Sequence, residues 1–518
     1  MNPRNIVFRV DASLKIGTGH VMRCLTLAEA LRGRGCECRF ICREHSGNLI
    51  DLISEHGFTA HGLPTADVSL GVDNEPDSPS HAVWLGADWH KDAAQTRKAM
   101  GDVSADWLVI DHYAIDERWE REMRPSCRRL MVIDDLADRN HDCDLLLDQN
   151  LVEGWQDRYR GKVPETCALL LGPEYALLQP VYADLHDRVP PREGPIRRIL
   201  VYFGGADTDN LTGMTISAFG LLKTDDVSMD VVINPASPHI ASIRKLAGRD
   251  KRISLHERLP SLAPLMARAD LAIGAGGGTS WERCCLRLPT LIITVAENQR
   301  PIAEELDRTG LAQWLGHKDD IDAELLSRTL QMTLDTDTPP VCTQLYSVLV
   351  DGRGAERVAS FLLIDAQTPL KARLARLDDE NILLQWANDP LVRKYAFQPD
   401  AIDPDTHHKW FYKRLDDYEK CRLYIVETEN DFPIGQVRFD KIEDGWEISY
   451  SLDPRVRGRK LGKSLLQKAI STFKENTFPT QIFARVKNIN ISSCKLLEKI
   501  NFQIKNKNRN ISVFILML

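Results

Sequence analysis

A histidine at position 20 directly follows the run Gly17-Thr18-Gly19, and an imidazole at the mouth of a glycine turn can accept a proton at neutral pH. Glycine has no side chain in a ligand's way and tolerates positive φ, so Gly17 and Gly19 let a small molecule approach the backbone. Asp111 and Tyr113 end an apolar run and could orient the histidine, a water or a ligand group. A second glycine turn, Gly274 to Gly278 with Gly276 and Gly277 inside it, passes into Thr279, Ser280 and Glu282. Backbone N–H groups there, with the start of a helix behind them, suit a diphosphate. A third run, Arg457 to Gly462, is basic as well as glycine-bearing and fits a nucleotide-type pyrophosphate for the same reason. Each has a plainer reading. His20 could cap or pack against a helix start, Asp111 could cap the turn after it, and Glu282 is favoured in a first helical turn by the dipole alone. Arg457 to Gly462 could be a bare basic helix start, and Asn298 and Gln299 could be ordinary turn residues.

These residues need elements to hold them. The short, β-branched IVFRV reads as a strand, and Val21, Leu25, Ala28 and Leu31 recur at helical spacing after the first turn. Beyond the proline-rich VPPREGPIRR a second series begins: RILVYFGGADTDN as a strand into a glycine turn, then DVVIN, ADLAIGAGGGTSWE and LPTLIITVAENQ. Strands alternating with helices imply parallel sheets, and two series imply two Rossmann-like lobes with a ligand cleft beyond the strands' carboxyl ends. From Arg373 the pattern changes to a strand, an amphipathic helix and the antiparallel candidates RLYIVETEN, PIGQVRFD and WEISYSLD. Leu461, Leu465, Ala469 and Phe473 then mark the buried face of a helix. The expected class is therefore α/β, two Rossmann-like lobes followed by an α+β domain, with boundaries at 1–190, 191–365 and 371–518.

Length agrees, since 518 residues make about three domains at roughly 150 each. Up to Leu370 there are 40 Lys+Arg against 54 Asp+Glu, and afterwards 26 against 20, while the favoured base switches from Arg to Lys. A shift of that size marks two separately evolved pieces joined near DAQTPLK. The tail's modest positive balance is spread over helical faces, which favours a solvated surface or a small anionic ligand over nucleic acid. No apolar run approaches the roughly 20 residues of a membrane helix, so no membrane span and a cytoplasmic location are expected. The 12 cysteines lack repeated CxxC spacing and read as reduced, packed thiols, with no metal expected.

DASLKIGTGHVMRCLTLAEAL resembles the opening of the UDP-sugar hydrolases of pseudaminic acid biosynthesis, which release UDP from a 2,4-diacetamido-2,4,6-trideoxy-altrose. VIDHY, IDDLADR and DCDLLLDQN continue that resemblance in order, over roughly the first 350 residues. It implies that His20 is the base that activates water for inverting attack at the anomeric carbon and that Tyr113 is the family's tyrosine after the Asp-His pair; Asp111 and Tyr113 could orient the histidine or water, and helix N-termini and backbone N–H groups can stabilise the leaving diphosphate without a metal. The second series is similar to the two-lobed UDP-sugar glycosyltransferases, which implies a glycosyltransferase-B-type pair of lobes, UDP on the second lobe, Glu282 on the ribose and Asn298 on the UDP-sugar.

SLDPRVRGRKLGKSLLQKAI resembles the acetyl-CoA loop of the GNAT N-acetyltransferases, implying acetyl-CoA as cosubstrate, with Leu452, Arg457, Gly458, Lys460, Gly462 and Asn490 as its contacts. Lys460 replaces a customary glycine, and a helix start is expected to give it an ordinary helical φ. In ARVKNINISSCKLLEKINF, Asn490 and Ser493 fit the family's closing motif, but Leu497 stands where a tyrosine often protonates the leaving thiolate and Asn501 where a glycine does. Glu447 and Ser449 could contact a substrate amine, or could simply be the solvent side of a strand. Trp386, Asn388, Asp389, Pro390 and Arg393 are similar to GNAT enzymes acting on sugar amines, including the acetyltransferase of the same pathway. Taken together, the resemblances imply a fusion of two consecutive steps. The alternatives are a glycosyltransferase with a non-water acceptor and a non-catalytic acetyl-CoA-binding module; the sugar stereoisomer is not legible in these motifs.

Overall fold

The computed structural model describes residues 3–65, 78–102, 104–204, 207–235, 237–336 and 349–518. The chain divides into two compact units, Met1–Ala359 and Ser360–Leu518.

Seven parallel strands form the first sheet: β1 (Asn5–Val10), β2 (Glu37–Arg43), β3 (Thr59–Leu63), β4 (Trp107–Asp111), β5 (Leu130–Ile133), β6 (Leu145–Asp148) and β7 (Ala168–Leu171), in the order β3-β2-β1-β4-β5-β6-β7. The central strands are apolar and buried on both faces, as crossover helices on both sides require. Helix α1 (Gly19–Arg32) buries Val21, Leu25, Ala28 and Leu31. Strand order reverses at β1, which pairs with β2 on one side and β4 on the other, with Val10 beside Asp111. That reversal leaves a crevice at the carboxyl ends of β1 and β4. Helix α2 (Trp89–Met100) supplies Asp92, which accepts from Arg9 Nη2 at 2.6 Å, Arg43 Nη2 at 2.5 Å and Trp119 Nε1 at 3.0 Å. An unpaired buried charge costs several kcal/mol, roughly, so the mutual pairing of these charges locks β1, β2 and α2 together. Arg9 also donates to Asp11 at 2.6 Å, fixing the first residue after β1.

The second sheet repeats the plan with β8 (Arg198–Tyr202), β9 (Ser228–Ile233), β10 (Ile253–Glu257), β11 (Leu271–Gly274), β12 (Thr290–Thr294) and β13 (Gln313–His317), in the order β10-β9-β8-β11-β12-β13. Here the reversal lies between β8 and β11, and α3 (Thr279–Cys285) follows β11. Strands β10 and β13 escaped the sequence reading because, as half-buried edges, they show neither a continuous apolar run nor a clean alternation. The glycine turn expected after β8 falls partly outside the described residues, which omit 205 and 206. One apolar core including Leu151, Ala176, Tyr182, Leu200, Trp281 and Ile292 runs from the end of the first lobe into the second.

The C-terminal unit is a mixed sheet of β14 (Leu370–Leu374), β15 (Cys421–Thr428), β16 (Pro433–Ile442), β17 (Gly445–Leu452), β18 (Gln481–Lys487), β19 (Gln503–Lys507) and β20 (Ile511–Met517), in the order β14-β15-β16-β17-β18-β20-β19. Its one parallel pair, β17 with β18, joins only Trp446 to Ile482 and Glu447 to Phe483; beyond those residues the strands part. Helices α4 (Glu380–Asn388), α5 (Gly462–Thr477) and α6 (Ile491–Lys499) accompany the sheet. Leu465, Ala469 and Phe473 of α5 are buried, and Phe473 stacks on Phe439 with ring centroids 3.9 Å apart. Burial of each large apolar side chain stabilises by about 1.5–3 kcal/mol. Among the described residues no helix is long and apolar enough to cross a membrane.

Candidate functional site

The crevice of the first lobe brings His20 and Asp111 together. His20, on the first turn of α1, places Nδ1 2.6 Å from Asp111 Oδ1, and both side chains are buried. Arg23, three residues along the same helix face, donates from Nε to Asp111 Oδ2 at 2.6 Å and from Nη2 to Oδ1 at 2.7 Å. Burial alone would raise the Asp111 carboxyl, but the Arg23 guanidinium and the His20 ring outweigh it and hold it below the usual carboxylate range. An ionised carboxylate only accepts hydrogen bonds, so the His20 proton lies on Nδ1 and the lone pair on Nε2. Asp111 therefore does not cap the turn behind β4; that turn is tied by His112 Nδ1, which accepts from Ala114 N at 3.0 Å. Gly17 has φ +82°, which favours glycine, and a Cβ at Gly17 or Gly19 would meet no atom within 4 Å. The space before the histidine is open.

Tyr113 packs edge-on against His20, centroids 4.6 Å apart, and its hydroxyl donates to Asp135 Oδ2 at 2.6 Å. Burial, with Asp135 beside it, keeps this phenol protonated. Asp135 also accepts from Arg23 Nη1 at 3.0 Å and Asn150 Nδ2 at 2.7 Å. Asn150 Oδ1 accepts in turn from Trp281 Nε1 of α3 at 3.3 Å. A continuous polar path thus runs from His20 to the helix behind the second glycine turn. At the carboxyl end of β6, burial and the neighbouring Asp135 push the Asp148 carboxyl up to about 7.

In the second lobe Gly274 ends β11, where a Cβ would stand 2.4 Å from Tyr202 O, so only glycine permits the close approach of β8. Gly276 is buried, Gly278 exposed and Thr279 half-buried. Ser280 is buried, its Oγ accepting from Arg283 Nη2 at 3.0 Å while the same nitrogen donates to Ala275 O at 2.6 Å. Glu282 is the unusual member: burial pushes its carboxyl up to about 7 although the Tyr182 hydroxyl beside it acts the other way, and its Oε2 is buried with no hydrogen-bond partner. Asn298 is exposed, whereas Gln299 Oε1 accepts from Val295 N at 3.0 Å and braces the turn.

In the C-terminal unit the basic turn lies between β17 and α5. Gly458 has φ +76°, but so, at +63°, does Lys460. The helical φ expected for Lys460 is corrected: α5 starts two residues later, and Lys460 lies in the left-handed region that its missing glycine would have entered without strain. Left-handed residues stand on either side of Arg459, whose own N–H turns back to Val456 O at 3.4 Å. Arg457 pairs with Asp389 at 2.8 Å and donates to Leu452 O at 3.2 Å, so Asp389 and Leu452 both reach the turn. Gly462 sits where a Cβ would press on Leu496 at 2.8 Å. Asn490 caps α6 by accepting from Ser493 N at 3.1 Å, and Leu497 is fully buried.

The other members of the sugar-amine pattern have structural tasks. Trp386 Nε1 donates to Asp453 at 2.9 Å, Asn388 exchanges two bonds with Ile402, and Arg393 Nη1 donates to Asp400 O at 3.2 Å. Asp389 also caps the short helix begun by Pro390, accepting from Val392 N at 3.0 Å. Glu447 is paired with Arg485, and Ser449 is exposed.

Sequence reasoning named His20, Asp111 and Tyr113 but passed over Arg23, Asp135, Asn150 and Trp281. A signal existed for three of them. Arg23 follows His20 at helical spacing, while Asp135 and Asn150 lie within the quoted IDDLADR and DCDLLLDQN.

Residues 370–503 match the model of the acetyltransferase (GNAT) domain. The class is thus a GNAT-like domain behind a unit of two parallel sheets. Over almost its whole length the chain is similar to an uncharacterized protein of Methanocaldococcus jannaschii, 22% identical over 519 residues that cover 97% of this chain and 98% of the relative. The front part is 24% identical over 305 residues to the UDP-2,4-diacetamido-2,4,6-trideoxy-beta-L-altropyranose hydrolase of Campylobacter jejuni, covering 59% of this chain and 97% of that enzyme. It is also 30% identical over 195 residues to the spore coat polysaccharide biosynthesis protein SpsG of Bacillus subtilis, covering 37% of this chain and 57% of that protein, little more than half its length. The chain resembles a fusion of such a UDP-sugar hydrolase with a GNAT acetyltransferase.

Proposed function

We propose that the first unit hydrolyses UDP-2,4-diacetamido-2,4,6-trideoxy-β-L-altropyranose to the free sugar and UDP, and that the second transfers acetyl from acetyl-CoA to the 4-amino precursor of that substrate. The two parallel sheets act as a glycosyltransferase-B-type pair, with the sugar on the first lobe and UDP on the second. The observation that carries the reading is the His20–Asp111 pair clamped by Arg23 at the crevice between β1 and β4. His20 Nε2 takes a proton from water as the oxygen attacks the anomeric carbon. The bond from that carbon to the diphosphate oxygen breaks, and UDP leaves with the negative charge. A positioned base supplies about 10²- to 10⁴-fold. N–H groups of the Gly276 to Gly278 turn and of Thr279 receive the departing charge, and Glu282 accepts from the ribose hydroxyls, which gives its unpartnered oxygen a ligand. In the second unit Arg457, Gly458, Lys460 and Gly462 hold the pyrophosphate of acetyl-CoA.

The test is to incubate the full chain with the UDP-4-amino-sugar, with and without acetyl-CoA, and follow products by mass spectrometry. Acetylation first, then free diacetamido sugar and UDP, is the expected result. UDP appearing only on addition of a second sugar or alcohol acceptor would sink the hydrolase reading.

A further inference from the structure

Thioester aminolysis releases a thiolate, and a buried thiolate leaves faster when a proton donor stands beside it. In the C-terminal unit the place for that event is set by the sheet. Past Glu447, β17 has β16 on one side only, because β18 has turned away, so Ile448 to Leu452 present an unpaired edge to the gap. Unpaired N–H and C=O groups on a strand edge bind an extended amide-bearing chain. The anion-binding turn Arg457 to Gly462 lies at the carboxyl end of the same strand. A ligand with its pyrophosphate on that turn and its amide-bearing arm along the edge brings its thioester into the gap.

Tyr450 stands in that stretch of β17. Its hydroxyl is buried and makes no hydrogen bond of good geometry; the Ser493 side chain in the first turn of α6 is its one hydrogen-bonding neighbour, with Cys494 beside it. A buried hydroxyl so incompletely bonded is destabilising, and a ligand in the gap would complete its bonding. Leu497, fully buried on the same helix, has no proton to give. Burial pushes the Tyr450 phenol up to about 12, so it stays protonated across the working range.

On the acetyl-transfer reading above, we propose that Tyr450 is the proton donor to the leaving sulfur. The neutral amine of the acceptor attacks the thioester carbonyl carbon, the N–C bond forms, and the C–S bond breaks. The sulfur takes the proton of Tyr450 Oη. The nitrogen gives its surplus proton to water, and water reprotonates the phenolate, so the products are amide and free thiol.

Tyr450→Phe removes one oxygen whose hydrogen-bonding neighbour in the chain is the Ser493 side chain, so the variant should fold, with a melting temperature close to that of wild type. Its acetyl-CoA Kd, by titration calorimetry, should stay within about twofold of wild type. Its kcat with the UDP-4-amino-sugar should fall about 10²-fold, and the solvent deuterium isotope effect on kcat should shrink. Transfer by Tyr450→Phe at the wild-type kcat, or a loss explained wholly by a weaker acetyl-CoA Kd, overturns the assignment of Tyr450 alone. A wild-type chain that binds acetyl-CoA yet acetylates no UDP-4-amino-sugar overturns the transfer reading and this proposal with it.

Discussion

His20 differs from a packed histidine through its neighbours. Asp111 Oδ1 accepts the Nδ1 hydrogen bond at 2.6 Å, and Arg23 keeps that carboxylate ionised, so the ring carries its lone pair on Nε2. Asp111→Asn tests this directly. An amide can donate to Nδ1, which moves the ring proton to Nε2 and removes the base, so UDP release should fall about 10²- to 10⁴-fold. Circular dichroism should show the fold retained, because Arg23 still has Asp135. Hydrolysis within a few-fold of wild type would mean that His20 does not act through this tautomer. The residue types at 20, 111 and 113 were readable in the string; the clamp was not, since Arg23 and Asp111 are 88 positions apart and meet only through the β1–β4 pairing.

At the scale of elements, the basic turn departs most from expectation. Lys460 adopts φ +63°, a conformation that costs a residue with a Cβ about 1–2 kcal/mol, and local spacing cannot show this because the helix begins two residues beyond the basic run. Glycine at 460 would relieve the strain but lose about 0.5–1 kcal/mol to its freer unfolded chain. Lys460→Gly should therefore keep or raise the melting temperature of the C-terminal unit, whereas Lys460→Ala, which retains the strain, should not raise it. Both should weaken acetyl-CoA several-fold by removing the ammonium. Equal melting temperatures for the two variants would dismiss the strain. The parting of β17 and β18 was similarly hidden, because only β17 stood among the strand candidates and the pairing of two separate segments leaves no local signal.

Across the whole molecule, the chain divides into two units near residue 360, and the proposed function assigns one chemistry to each. His20→Ala should abolish UDP release and leave acetyl transfer intact, and Arg457→Ala should raise the KM for acetyl-CoA without changing hydrolysis of the diacetylated substrate, all read from one mass-spectrometric assay. Loss of both activities in either variant would refute independent sites. Periodicity, glycine turns and the Arg-to-Lys shift were enough to read three sheet-forming segments and the three glycine turns, because strand and helix patterns and turn chemistry are local; resemblance singled out His20, Glu282 and Arg457 within them. Partners were settled only by folding. The carboxylate that sets the His20 tautomer, the Asn150–Trp281 link between lobes, the burial that raises Glu282 and the parting of β17 from β18 all arise where distant segments pack, and long-range pairing leaves no periodic trace along a single chain.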